Sequence, residues 1–254
     1  MVGVYFSGTG NSKLILEVFC GEYDKNVKVF SIEDKQAVDA IKNNDMLVFS
    51  YPVYYSTVPK ILRDFVENNS GLWKGKKVFI IATMGLFSGD GAGMLGRELK
   101  RHGASIVGGL HVTMPDCICD VPLLKHSLEK NRATVLKAKH KARISARLLK
   151  TGKPTKEGLG TFSRMAGFFG QRLYFGHHTR DYSSKLKINA DKCVGCGKCA
   201  SVCPMKNISI ENGIAVQHDK CTMCYRCINQ CPKQAITLIG KKVVVQGTID
   251  KYIK

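Results

Sequence analysis

The stretch DKCVGCGKCASVCP, residues 191–204, recurs as DKCTMCYRCINQCP at residues 219–232, a constant offset of 28 residues. Eight of the chain's 11 cysteines fall in these two copies: Cys193, Cys196, Cys199 and Cys203, then Cys221, Cys224, Cys227 and Cys231. The spacing C-x2-C-x2-C-x3-C-P sets three thiolates on one tight loop, where each reaches a different iron of one cube, and sends the fourth to the other cube. The expected ligand sets are therefore crossed. One cluster takes Cys193, Cys196, Cys199 and Cys231, and the other takes Cys221, Cys224, Cys227 and Cys203. The repeat extends past the ligands, with Ile208 returning as Ile236, as a duplicated half-domain would show.

Disulfides and paired zinc sites are the competing readings of these cysteines. Zinc needs two C-x2-C halves and has no use for a third and fourth cysteine followed by proline. A disulfide framework goes with secretion, whereas Met1 leads straight into an apolar run with no basic or cleavable leader. Over roughly residues 185–240 the chain is similar to bacterial-type two-cluster ferredoxins, which implies two [4Fe-4S] clusters.

At the other end, Val2, Val4 and Phe6 form a short strand that stops at Ser7, Gly8, Thr9, Gly10, Asn11 and Ser12, after which Leu14, Ile15, Val18 and Phe19 take helical spacing. A glycine- and hydroxyl-rich loop between a strand and a helix N-terminus is a phosphate cradle, its backbone N–H groups aimed at the anion. It matches neither the Walker spacing nor G-x-G-x-x-G, and a plain turn capped by Ser12 is its competitor. Two later strands also end in loops of suitable chemistry. The first carries Pro52, Val53, Tyr54, Tyr55 and Ser56, and the second carries Thr83, Met84, Gly85, Leu86, Phe87, Ser88 and Gly89. In an open parallel sheet such loops converge at the carboxyl ends of the strands, where ligands bind. The first 120 or so residues resemble flavodoxin-like FMN proteins, which implies that Ser7 to Ser12 hold the FMN phosphate and that the two later loops flank its ring.

Strands near 2–6, 27–30, 45–49, 77–83 and 105–112 alternate with helices near 11–21, 34–43, 58–69, 91–102 and 123–150. The expected fold is α/β, a flavodoxin-like doubly wound parallel five-stranded sheet of order 2-1-3-4-5, followed by a small α+β two-cluster ferredoxin-like domain. The expected boundaries are 1–150 for the flavodoxin-like part, 151–184 for a basic, amphipathic linker, 185–240 for the ferredoxin-like part and 241–254 for a tail. Both parts together resemble a family of flavodoxin–ferredoxin fusion proteins.

Charge is uneven: net 0 over residues 1–120, +12 over 121–185 and +7 over 186–254, making the +19 of the chain. Bound clusters and FMN would lower this to roughly +13, still a chain suited to acidic partners. Much of the excess lies in Lys125, Lys130, Arg132, Lys137, Lys139, Lys141, Arg143, Arg147 and Lys150. These read as the solvated side of an amphipathic helix of roughly 40 Å whose other side carries Leu124, Leu128, Val135, Ala138, Ala142, Ala146 and Leu149. That face could dock an acidic redox partner, with salt-sensitive electron transfer as the sign of it. Nucleic acid is not expected, because residues 121–161 contain no Phe, Tyr or Trp to stack on bases.

Phe162, Met165, Ala166, Phe169 and Leu173 form an apolar stripe that fits a domain seam, and no stretch is long enough to span a membrane. Cys20, the Cys117–Cys119 pair and His177–His178 read as packing or linker residues. Lys192, Lys198, Lys220 and Arg226 adjoin the cysteines and would raise cluster potentials, so that Arg226→Glu is expected to lower that of the Cys221 cluster. The functional expectation is an electron-transfer protein of the cytoplasm of an anaerobe, passing low-potential electrons between FMN, two clusters and a protein partner. An FMN-dependent reductase of a small organic substrate and a flavin-free redox sensor or binding subunit are the alternatives.

Overall fold

A computed structural model describes residues 1–54, 57–86, 89–160 and 182–254. Five strands, β1 (Val2–Tyr5), β2 (Val29–Ser31), β3 (Met46–Pro52), β4 (Lys77–Met84) and β5 (Ser105–Thr113), form one parallel sheet of order β2-β1-β3-β4-β5. The intervening helices are α1 (Asn11–Tyr23), α2 (Gln36–Lys42), α3 (Lys60–Asn68) and α4 (Gly91–Arg101), and α5 (Leu128–Lys150) follows β5. Helices cover both faces, so the central strands are apolar throughout rather than alternating with polar residues. Leu47, Phe49, Val78 and Ile80 pack toward α2, α3 and α4, while Val48, Phe79 and Ile81 pack toward α1 and α5. Each such side chain contributes about 1.5–3 kcal/mol when fully buried. Trp73, wholly buried, keeps its indole satisfied by donating to the Val66 carbonyl at 2.8 Å.

The long basic helix starts at Leu128, five residues later than its apolar spacing predicts. Pro122–Leu124 forms a separate 3-10 turn, and the Ser127 hydroxyl accepts from the Lys130 N–H at 3.2 Å, capping α5 there. Leu128 is consequently exposed, and the buried stripe is Val135, Ala138, Ala142 and Ala146, whose small side chains let α5 lie close to α1. The start of the expected linker also behaves differently. Residues 155–157 run beside β5, with Gly109 N donating to Thr155 O at 2.8 Å and Glu157 N donating to Gly109 O at 2.9 Å. A Cβ on Gly109 would sit 2.6 Å from the Glu157 carbonyl, so glycine is what admits this extra edge.

The C-terminal part is built from two similar halves. The first comprises β6 (Lys187–Ile188), α6 (Lys198–Val202) and β7 (Ile208–Glu211), and the second comprises β8 (Ile214–Gln217), α7 (Arg226–Gln230) and β9 (Ile236–Thr237). Strands pair across the halves, β6 with β9 and β7 with β8, both antiparallel. The β7–β8 turn is Asn212-Gly213, with φ of 49° and 78°, the left-handed pair a tight hairpin needs. The final helix, α8 (Asp250–Ile253), returns to pack on α5. Phe162 to Leu173 and His177–His178 lie outside the described residues. Among the described residues no helix is long and apolar enough to cross a membrane.

Candidate functional site

Two cavities occupy the C-terminal part. The first, about 340 Å³ counting its open mouth, is lined by Cys193, Cys196, Cys199 and Cys231. The second, about 360 Å³, is lined by Cys203, Cys221, Cys224 and Cys227. Among the described residues no three His, Cys, Asp or Glu side chains converge on a point that could hold one metal ion. Four thiols surround each of the two volumes, which suits a four-iron cube. Without iron, burial pushes the Cys224 thiol up to about 12 and raises those of Cys227, Cys221 and Cys199, so deprotonation must accompany metal binding. Backbone N–H groups already point at sulfur: Ala215 to Cys193 at 3.4 Å, Asn207 to Cys203 at 3.2 Å, Met223 to Cys221 at 3.4 Å and Ala235 to Cys231 at 3.3 Å. Such bonds stabilise thiolate ligands. The Thr222 hydroxyl, buried without a partner, borders the second cavity and would be satisfied by a cluster sulfur. The four-iron group fits both sites.

The cysteine loops wind through left-handed conformations at equivalent places, Gly195 and Gly197 in one half and Met223 and Tyr225 in the other. The second half does so with side chains, at a cost of order 1 kcal/mol each. Tyr225 is held there by donating its hydroxyl to Asp120 Oδ1 at 3.0 Å. Asp120, almost wholly buried, also accepts from Leu238 N at 2.7 Å and Ile239 N at 3.0 Å, and so stitches the end of the first part to the second cysteine loop. Nearby, Asn229 Nδ2 donates to the Cys117 carbonyl, and Cys119 joins the ferredoxin-side core.

At the carboxyl ends of β1, β3 and β4 the three expected loops come together. Gly10, with φ of 95°, precedes α1, and its N–H donates to Ser7 Oγ at 3.1 Å. The N–H groups of Gly8, Thr9, Asn11 and Ser12 have no partner among the described residues, leaving donors at the positive end of α1. Asn11 is tethered through Nδ2 to the Pro115 carbonyl, while its Oδ1 is buried with no donor, as a ribityl hydroxyl would supply. FMN, with a phosphate at one end and hydroxyls along its chain, fits this set. Ser12 serves differently: its hydroxyl pairs with Thr83 Oγ1 at 2.7 Å, and its carbonyl accepts from Ser50 Oγ, pinning α1 to the sheet. Val53 N donates to the Thr83 carbonyl, fixing Pro52 and Val53 beside β4. Tyr54 stands edge-on to Phe6 at 6.5 Å. Met84 is nearly buried, Gly85 abuts the Asp116 carboxylate, Leu86 is 69% exposed and Gly89 is left-handed at φ 62°. Tyr55, Ser56, Phe87 and Ser88 fall outside the described residues.

The two regions touch. A Cβ on Gly8 would overlap the Cys224 carbonyl and lie 2.8 Å from the Tyr54 hydroxyl. Cys224 thus borders the second cavity and the phosphate loop together, and packs with Phe6 and Tyr54. Arg226 spans the same seam. It donates to the Ser7 carbonyl at 2.8 Å and bidentately to Glu33 at 2.7 and 2.8 Å, with its guanidinium over the Phe6 ring. From the tail, Ile249 N donates to the Thr9 carbonyl at 2.9 Å and its side chain covers Gly10. Sequence reasoning singled out Arg226 for its charge but gave no sign of Glu33, Asp120 or Ile249. Because Glu33 already balances Arg226, Arg226→Glu would set two carboxylates face to face and open the seam. Arg226→Gln is the cleaner probe: loss of its charge should lower the Cys221 cluster potential by roughly tens of millivolts. A redox titration showing no shift would count against that role.

The doubly wound sheet, the anion-binding loop and the paired thiol cavities define a redox protein that combines a flavin with iron–sulfur clusters. Residues 3–107 match the family model of the flavodoxin domain, and residues 185–232 match that of the 4Fe-4S dicluster domain. The chain thus carries a flavodoxin domain in its N-terminal part and a 4Fe-4S dicluster domain in its C-terminal part, and the cofactors these imply are FMN and [4Fe-4S] clusters. The dicluster part is 48% identical over 29 residues to Ferredoxin-2 of Desulfomicrobium norvegicum, a match covering 11% of this chain and 49% of that protein. The chain thus spans about half the length of this curated relative. Among solved structures, the solution structure of two-electron reduced Megasphaera elsdenii flavodoxin is similar at 22% identity and TM-score 0.41, covering 57% of this chain and 99% of that one. The rubredoxin oxygen:oxidoreductase of Desulfovibrio gigas is similar at 18% identity and TM-score 0.42, covering 59% of this chain and 36% of that one.

Proposed function

We propose that the chain carries low-potential electrons between FMN and a redox partner through two [4Fe-4S] clusters in series. The inner cluster, held by Cys203, Cys221, Cys224 and Cys227, faces the flavin. The outer one is held by Cys193, Cys196, Cys199 and Cys231. The observation that supports this order is the contact of Cys224 with Gly8 and Tyr54, which brings the second cavity against the phosphate loop. When bound, a flavin exchanges one or two electrons and each cluster one, so the pair matches a two-electron reaction to one-electron carriers. The protein's own residues do the rest. Ser7 to Ser12 hold the phosphate end, and the Pro52–Ser56 and Thr83–Gly89 loops flank the ring. Arg226, Asp120 and Ile249 hold the two domains at one separation.

Anaerobically purified protein should contain about eight irons and one FMN per chain. On rapid mixing with a limiting one-electron reductant, cluster absorbance should bleach first and flavin absorbance should follow at a rate independent of protein concentration. Flavin reduction that depends on protein concentration, or failure to retain FMN with the clusters intact, would overturn the relay.

A further inference from the structure

We infer that the open rim of the Cys193–Cys196–Cys199–Cys231 cavity is the docking port for a small acidic one-electron carrier protein, an inference that rests on the relay proposed above. The two cavities differ sharply in access. Every residue lining the Cys203–Cys221–Cys224–Cys227 cavity is buried or half-buried. The other cavity is lined by exposed Cys196, Lys198, Pro232 and Lys233, with Val194 at 57% and Ile210 at 37% exposure. Cys196 is the one exposed cysteine of the 11. Electron transfer falls steeply with distance, so a carrier arriving from solution has one thiol-lined face to approach.

The chemistry of that face selects the carrier. Val194, Ile210 and Pro232 make a small apolar centre, Lys198 and Lys233 line the same cavity, and Lys192 directly precedes its ligand Cys193, all three lysines exposed and without an ion-pair partner among the described residues. An apolar centre with a charged rim is the pattern of a transient interface, and free lysines steer an acidic protein toward it. Asp191 is the carboxylate within the same loop, and Glu211 beyond it is engaged by Ser209 and His218. Helix α5, although more basic, is a poorer port. Its Lys141 is paired with Glu157, its Arg143 and Arg147 with Glu22, and none of its residues lines a cluster cavity.

The test uses the cofactor-loaded full chain and a pre-reduced acidic two-cluster ferredoxin as the probe, with cluster bleaching followed by stopped flow at low ionic strength. The variant Lys192→Glu/Lys198→Glu/Lys233→Glu should show a second-order rate constant lowered about tenfold or more, the difference shrinking as salt is added. Single Lys233→Glu, which leaves both cysteine loops untouched, should lose about two- to threefold. Lys130→Glu/Lys137→Glu/Lys139→Glu on α5 should react as the parent does, and deazaflavin photoreduction should run to completion in all four proteins, with the outer-cluster potential titrated in each so that a change of driving force at Lys192 and Lys198 is separated from a loss of docking. An undiminished rate in the triple rim variant, or a matching loss in the α5 variant, would overturn the port. Rim-dependent cluster bleaching without subsequent flavin reduction would leave the port standing and sink the relay instead.

Discussion

A Gly8→Val chain should load its clusters, lose its flavin and stop passing electrons between them. The added Cβ would enter the space held by the Cys224 carbonyl and approach the Tyr54 hydroxyl to 2.8 Å. Neither can yield easily. The carbonyl belongs to a cysteine loop fixed by sulfur-directed hydrogen bonds, and Tyr54 is pinned against Phe6 and bridged to Thr57. Overpacking of this kind costs about 1–3 kcal/mol. If the phosphate loop takes up the strain, the N–H groups of Gly8 and Thr9 turn away from their common centre and FMN affinity falls about tenfold or more. If the seam takes it up, Cys224 moves off the loop and transfer slows even in the flavin that remains. Retained flavin after gel filtration and iron per chain separate the two. Gly8→Ala should shift both readouts in the same direction by less. A Gly8→Val protein that keeps its FMN and its flavin reduction rate would show that the seam does not run through this loop.

Much of this arrangement was legible in the residues. The strands could be read because a sheet buried on both faces demands unbroken apolar runs such as Val78 to Ala82; alternation of strand and helix implies a doubly wound sheet, and its order is what the flavodoxin-like resemblance implies. The cysteine spacing carried the ligand chemistry because it is local: three thiols within seven residues must share a loop. What stayed hidden is long-range. Asp120 meets Tyr225 and Leu238 across more than a hundred residues, and Glu33 meets Arg226 across 193. No periodicity in either segment reports its partner. Two local features have the same origin. Leu124 and Leu128 are in phase with the buried stripe of α5, but Pro122 and the Ser127 cap decide where the helix begins. Residues 152–160 have a linker's composition, yet Gly108 and Gly109 leave an edge of β5 open for them. At Ser12 the hydroxyl is committed to Thr83, which leaves its N–H as the group that faces the phosphate end, a consequence of how α1 sits on the sheet rather than of the loop's own sequence.

Paired cysteine removals should lose iron by cavity and not by sequence motif. Cys203 lies in the first motif but lines the second cavity, and Cys231 does the reverse. Each single replacement by alanine should therefore remove about half of the iron, because three thiols hold a four-iron cube poorly and alanine offers no substitute ligand. The doubles separate the two possible pairings. Cys203→Ala/Cys221→Ala takes two ligands from one cavity and should keep about half of the iron. Cys203→Ala/Cys199→Ala takes one from each and should keep almost none. With ligands grouped by motif the two results would exchange, so iron and sulfide counted per chain decide the matter, and a partly degraded three-iron remnant would not alter the ranking. Metal binding here is also folding free energy, since both cavities are walled by the one C-terminal core, and the second double should melt at the lower temperature. The flavin gives an independent reading. A chain lacking the inner cluster should still bleach its outer cluster on meeting a reduced carrier but leave its flavin oxidised. A chain lacking the outer cluster through Cys193→Ala/Cys231→Ala should react slowly with the carrier, while photoreduction of its inner cluster still reaches the flavin. If both lesions silenced the flavin equally under photoreduction, the clusters would not lie in series toward Gly8, and the order inferred from the Cys224 contact would fall.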